Sequence, residues 1–370
     1  MTNDARYLRH SLIDWFDQAE VARARIAVIG AGAIGNEVVK NLVLLGAGQI
    51  EVFDFDRIEI HNLTRGVFFR ESDVGAHKAE VVARRARELD PNVRIEAVVG
   101  DFWETMSLAR LASYECAIAA VDNFEARIRL NQLCRITGVS LVNAAIDSRH
   151  ASVEVYADGG ACYECHLPES AYQRVAERYS CGGLKKRAYA ERKIPTTTIT
   201  ASIAGALAAS AALRLGKADP EARRVLVDTL SGSSSVARLA RVAGCIGCGR
   251  FDSRPRRVQA RASLIGTLDT DAARDLAIET SDPIICAGQC ARCGSTARAA
   301  ETLGRRAAQF DDSLARCPSC NLASASIEIR DRFQLGELQT LAGERALPLK
   351  YLLVAAHDIC IDLEGSWPTK

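Results

Sequence analysis

The segment Arg25-Ile-Ala-Val-Ile-Gly30 leads straight into Gly30-Ala-Gly32-Ala-Ile-Gly35, and residues 36–45 then place apolar side chains at helical spacing. A short apolar strand, a glycine turn and a helix therefore succeed one another without a break. Glycines in such a turn let backbone N–H groups approach a phosphate at the helix N-terminus. The downstream residues strengthen the pattern. A strand is predicted at 50–55 after Gly46-Ala-Gly48, a helix around Lys78–Leu89, a strand around 93–99, a strand at 116–121, a helix at 123–137 and a strand at 140–145. This is the βαβ rhythm of a parallel sheet. Residues 1 to about 150 are expected to form a Rossmann-like α/β layer with helices on both faces.

From Ser152 the pattern changes. Ala-Ser-Val-Glu-Val-Tyr156 alternates like an antiparallel strand, which makes the sheet mixed. The apolar stretch 199–215 is rich in Thr, Ser, Gly and Ala and meets Arg214 before reaching the roughly 20 residues a bilayer span needs. It reads as a buried core helix. Asp, Ser, Pro and several Arg interrupt the pattern at 251–257, which sets an expected boundary between residues 1–250 and a module at 258–370. That module, with a strand at 323–330, a helix at 335–344 and a strand at 351–355, is expected to be a small α+β, zinc-binding unit without repeats.

Charge narrows the function classes. Lys plus Arg number 47 against 46 Asp plus Glu, a formal net charge of +1, with no long run of one sign. Nucleic-acid and anionic-membrane binding rest on clustered Lys and Arg, so neither is expected. The N-terminus has no basic segment leading into an apolar core, and 13 cysteines without a secretory signal point to metal sites and thiol chemistry in a reducing, cytoplasmic setting.

Asp54 ends the second strand 19 residues after Gly35, where a carboxylate accepts hydrogen bonds from ribose hydroxyls. A dinucleotide oxidoreductase would share every feature to this point. The next loop separates the two readings: Asp54-Phe-Asp56, then Asn62-Leu-Thr-Arg65, then Gly75-Ala-His-Lys78 gather cations past the ribose. Hydride transfer has no need of them, whereas attack at an α-phosphorus builds negative charge that they stabilise. Asp122, at the tip of the fourth strand, stands where a carboxylate can hold Mg²⁺ between phosphates.

In this order the motifs resemble those of the ubiquitin-activating enzymes and their bacterial relatives MoeB and ThiF, over residues 6–250. Arg6-Tyr-Leu-Arg9-His is similar to the family's Arg-Tyr-x-Arg-Gln. The resemblance implies a homodimeric ATP-dependent adenylyltransferase. Gly30, Gly32, Gly35, Asp54 and Asp56 would lie along the nucleotide, Asn62, Arg65 and Lys78 at its phosphates, Asp122 at magnesium, and Arg9 in the partner protomer's site. Gly66 and His10 stand where the family usually has Gln.

Eight cysteines form four CxxC pairs: Cys162/Cys165, Cys245/Cys248, Cys290/Cys293 and Cys317/Cys320. The first two pairs resemble the halves of the family's structural zinc site, and four thiolates close a tetrahedron with no open position. The last two, separated by 23 intervening residues, read as a second local zinc knuckle in which Cys286 could replace a ligand. That second knuckle has no counterpart in MoeB or ThiF. Cys116 and Cys134 read as buried core residues. Cys181 lies in the crossover segment 166–195 among Lys185, Lys186, Arg187, Arg192 and Lys193, ahead of Pro195-Thr-Thr. Positive neighbours favour a thiolate, and in the family this segment carries the transfer cysteine. Cys360 is its rival.

The resemblance thus implies adenylation of a ubiquitin-like protein's C-terminal glycine carboxylate, thioester formation on Cys181 and transfer to a conjugating enzyme or target. The alternatives are a sulfur-carrier adenylyltransferase and a silent binding homologue.

Overall fold

The computed structural model describes residues 3–173, 195–215, 222–250, 254–261, 276–309, 314, 316–322, 325–342, 347–354 and 358–364. Two compact units emerge, one of Met1–Leu167 with Lys193–Cys248, the other taking in Gly249–Lys370.

The first unit is built as β1 (Arg25–Ile29), α1 (Ala33–Leu45), β2 (Gln49–Asp54), α2 (Lys78–Leu89), β3 (Arg94–Val99), β4 (Cys116–Ala119), α3 (Phe124–Thr137), β5 (Ser140–Ile146), β6 (His150–Tyr156), α4 (Thr198–Ala212), β7 (Arg223–Asp228) and β8 (Ser234–Arg238). These strands form one sheet in the order β3-β2-β1-β4-β5-β6-β7-β8. Pairing is parallel from β3 to β5 and antiparallel from β5 to β8. The fold is the expected Rossmann-like mixed sheet flanked by helices. Strand order reverses between β1 and β4, which opens a crevice at their carboxyl ends.

Local chemistry sets the boundaries of the helices beside that crevice. Gly46, in the left-handed region at φ 80°, closes α1. The Asn123 side chain accepts from Ala126 N–H at 2.9 Å and starts α3. Thr197 accepts from Thr200 N–H at 3.2 Å and starts α4. The Ala-rich stretch is, as expected, a core helix: Ala204, Ala208, Ala209 and Ala212 pack with Val38, Val39 and Leu42 of α1. Its Gly205 sits so close to α1 that a Cβ there would come within 2.3 Å of Glu37 Cβ. Among the described residues no helix is long and apolar enough to cross a membrane.

The second unit holds a five-stranded sheet, ordered β11-β10-β12-β13-β9, of β9 (Arg256–Arg261), β10 (Ala277–Cys290), β11 (Ala325–Gln334), β12 (Tyr351–Val354) and β13 (Ile359–Glu364). Helix α5 (Leu335–Ala342) covers it, and Ile278, Ile284, Phe333, Leu338 and Leu352 form its core. Strands β7 to β10 were not foreseen. In the β7–β8 hairpin the one apolar run, Val225-Leu226-Val227, is short and flanked by Arg224 and Asp228, and β8 is exposed throughout. Strand β9 starts inside the Arg-rich stretch at 251–257, whose charges mask it. Long β10 is broken in the sequence by Ser281-Asp282-Pro283, and its register shifts between Glu279 and Ile284, a bulge that tolerates the proline.

Candidate nucleotide site and cysteine centres

The glycine turn and the tip of β4 meet at the switch point. Gly30 has φ +104°, and a Cβ there would lie 2.6 Å from the carbonyl oxygen of Ala120. A Cβ on Gly35 would lie 1.9 Å from the Gly30 carbonyl oxygen, whereas the position of Gly32 is open. Gly30 and Gly35 are thus demanded by backbone packing, and Gly32 leaves space beside the first turn of α1, whose N–H groups have no intrahelical acceptor.

Asp54 ties this turn to the end of β2. Its Oδ2 accepts the Ala31 N–H at 2.7 Å and its Oδ1 the Asp56 N–H at 2.7 Å. Burial pushes its carboxyl above the ordinary value, against the Ala31 hydrogen bond and the nearby Lys78 charge. Lys78, the first residue of α2, places Nζ 2.7 Å from Asp56 Oδ2. Asn62 Oδ1 accepts the Glu59 N–H at 2.9 Å, and Arg65 Nη1 donates to the His61 carbonyl at 2.8 Å, so both belong to one ordered turn. A Cβ on Gly66 would meet Phe69 Cδ2 at 2.3 Å, and Phe69 is a core residue. Glycine at 66 is therefore set by the ring packed against it.

Asp122 is exposed just beyond β4, beside Asn123. Sequence reading missed what holds it there. Arg127, buried on the second turn of α3, donates to the Val121 carbonyl and to Asn143 Oδ1. Asn143 Nδ2 in turn donates to Glu154 Oε2 at 2.8 Å, and Arg224 Nε to Glu154 Oε1 at 2.6 Å, along one cross-strand row of β5, β6 and β7. Desolvation lowers the Arg127 pKa, opposed by the surrounding Tyr163, Glu154 and Asp122. The only available signal was a charged residue on the inner face of a helix.

Arg9 is not gathered with these groups. Its segment is anchored through Arg6 Nε to Asp90 Oδ2 at 3.2 Å and through Tyr7 Oη, which donates to the same oxygen at 2.8 Å. Asp90 caps the C-terminal end of α2, a helix of 12 residues and thus about 18 Å long, with Lys78 at its other end.

The cysteine pairs converge in two places. Cys162, Cys165, Cys245 and Cys248 are all buried, with Sγ–Sγ separations of 3.7 Å (162–245), 3.4 Å (165–248), 3.5 Å (162–248) and 4.0 Å (162–165). Cys290, Cys293, Cys317 and Cys320 form the second set, with 3.7 Å between 290 and 320 and between 293 and 317. A tetrahedral Zn–S₄ site with bonds near 2.3 Å has sulfur–sulfur edges of about 3.8 Å. Both sets fit Zn²⁺, and disulfide lengths they are not. Four thiols apiece leave no position for water, which fits structural sites. In the first set the neighbouring Cys162 sulfur lowers the Cys248 thiol, while burial raises that of Cys245.

Among the other thiols, Cys116 and Cys134 are buried as expected, and burial raises both pKa values. Cys181 lies outside the described residues. Cys360 is fully enclosed in β13, paired with Leu353 on one side and Arg257 on the other, and burial pushes it up to about 12. An acyl-accepting thiol needs access and a thiolate, and Cys360 has neither.

Fold and site together define a Rossmann-like α/β protein with its candidate ligand site at the β1/β4 switch point and a four-cysteine centre in the same unit. The chain belongs to the ThiF family, whose model matches residues 5–245. It is 34% identical over 168 residues to the SAMP-activating enzyme E1 of Haloferax volcanii, a match covering 45% of this chain and 62% of that one. It is 35% identical over 158 residues to the sulfur carrier protein adenylyltransferase of Thermus thermophilus, covering 41% and 58%. The chain thus spans about three-fifths of the length of these curated relatives. The crystal structure of E. coli MccB with AMPCPP and MccA shares the fold at a TM-score of 0.55 and 24% identity, covering 66% of this chain and 75% of that one.

Proposed function

We propose that the protein adenylates the C-terminal carboxylate of a small ubiquitin-like or sulfur-carrier protein. The observation that carries this reading is the convergence of the glycine turn, Asp54, Asp56 and Lys78 at the switch point, in a chain of the ThiF family. Asp54 would hold the ribose, and Asn62, Arg65 and Lys78 the phosphates. The carrier's carboxylate oxygen attacks the α-phosphorus, the bond to the bridging oxygen breaks, and pyrophosphate leaves; the cations offset the charge that accumulates. Asp122 would hold the Mg²⁺ accompanying the nucleotide, whose contribution is charge neutralisation. The two cysteine sets would hold structural zinc.

Arg9 follows the Arg6 and Tyr7 anchor on Asp90, at the end of α2 opposite Lys78, and would serve the site of a second protomer in the homodimer reading. Cys181 would attack the acyl adenylate, releasing AMP and forming a thioester for transfer to a conjugating enzyme or target. The enclosure of Cys360 supports Cys181 over its rival. Similarity to a sulfur carrier protein adenylyltransferase favours a second reading, in which the adenylate goes to a sulfur donor. The 258–370 module would dock a partner protein; unchanged transfer after its deletion would remove that role.

The test is ATP–pyrophosphate exchange with a glycine-terminated carrier. Asp122→Ala is expected to abolish exchange and Cys181→Ala to spare it while eliminating the reducible adduct. Exchange unaffected by Asp122→Ala would overturn the site; a thiocarboxylate product in place of a thioester would select the second reading.

A further inference from the structure

Asn36, on the second turn of α1, is completely buried, and a buried primary amide is costly unless its donors and acceptor are met. Its Nδ2 donates to the Ala31 carbonyl at 2.8 Å and the Gly32 carbonyl at 3.0 Å. Its Oδ1 accepts the backbone N–H of Phe68 at 3.0 Å, 32 residues along the chain. One amide thus clasps the glycine turn from behind and joins it to the segment just beyond Arg65. Ala31 is held at both ends, its N–H by Asp54 and its carbonyl by Asn36. With the carbonyls of 31 and 32 turned inward to the amide, the open side at Gly32 is left to backbone donors. Phe68 lies three residues from Arg65, and Phe69 N–H donates to the Gly66 carbonyl at 3.1 Å, so little slack separates the clasp from the Arg65 backbone.

We infer that Asn36 is a positioning residue that fixes the distance between the glycine turn and the Arg65 segment, so that both engage one nucleotide. This rests on the nucleotide reading above. Removing the amide leaves each half intact but lets their separation vary, and the loss falls on ATP affinity through Arg65. The dependence on Arg65 is what a merely structural asparagine would lack.

A double-mutant cycle on the full chain tests it, with calorimetric titration of Mg-ATP into wild type, Asn36→Ala, Arg65→Ala and the double variant. Asn36→Ala is expected to weaken ATP about tenfold in the wild-type background and no more than about twofold beside Arg65→Ala. Asn36→Leu, close in size and unable to make any of the three hydrogen bonds, replaces Asn36→Ala if that variant does not fold, with the same expectation. Equal losses in both backgrounds, or no loss in either, would overturn the positioning role while ATP binding by wild type leaves the nucleotide reading standing. Failure of wild type to bind ATP would overturn both.

Discussion

Lys78 and Asp56 are joined twice: Nζ lies 2.7 Å from Asp56 Oδ2, and the Lys78 backbone N–H donates to the Asp56 carbonyl at 3.0 Å. The helix start and the loop after β2 are thereby locked together, and the Lys78 side chain, only 12% exposed, holds its ammonium beside an exposed carboxylate. Neutralising a cation that acts on developing charge removes about 10²–10³ in rate. Lys78→Ala is therefore expected to lower carrier-dependent exchange by at least that factor. Asp56→Asn keeps the backbone link and is expected to cost about tenfold or less. Equal losses in the two variants, measured at saturating ATP, would mean that the pair acts only as a brace.

The N-terminal anchor should be acid-sensitive. Burial alone would raise the Asp90 carboxyl, but the Asn92 N–H, the Tyr7 hydroxyl and the Arg6 charge bring it below the ordinary value. A depressed carboxyl stabilises the fold above its unfolded pKa of about 4, and that contribution is lost as pH falls through the lower folded value. Proteolysis at Arg9 is expected to be slow at pH 7 and fast below about pH 4. Asp90→Asn should speed it at pH 7, by weakening charge-assisted bonds worth about 1.5–3 kcal/mol. Unchanged cleavage in Asp90→Asn would show that the segment is held elsewhere.

Metal analysis should find two zinc ions per chain. Cys317→Ser is expected to lower this to one and leave ATP affinity within about twofold, because its set lies in the unit without the glycine turn. Cys162→Ser should also leave one ion but lower thermal stability; a metal present at a thousand times its Kd contributes about 4 kcal/mol. A stoichiometry of zero in wild-type protein purified without chelator would contradict both assignments.

The thiols should separate by reactivity. With its pKa pushed up to about 12, Cys360 is a thiolate in roughly one part in 10⁵ at pH 7, and it is enclosed as well. Mass spectrometry after brief iodoacetamide treatment is expected to find Cys181 alkylated and Cys360 unmodified until denaturant is added. Rapid native labelling of Cys360 would restore it as the acyl acceptor.

Much of the first unit was legible because its elements carry their own punctuation. Helix α2 runs over the predicted Lys78–Leu89, and Gly46 and Asn123 mark helix boundaries by local rules that need no tertiary information. The four CxxC pairs were equally readable, since ligand spacing is local. What escaped was long-range. Asn36 and Arg127 are polar residues on helices, and only partners 32 and 16 residues away turn them into buried clasps. Strand β10 escaped because its bulge breaks the alternation that sequence reading relies on. Gly66 stands in the sequence only as a departure from the family's Gln, and its reason, the Phe69 ring against it, is visible only in the fold.

The central claim is attack at the α-phosphorus. Incubating the full chain with ATP labelled at that phosphorus and a ubiquitin-like protein ending in glycine tests it most directly. The expected result is labelled adenylate on the carrier with release of unlabelled pyrophosphate. Release of ADP and inorganic phosphate, with no label on the carrier, would contradict it.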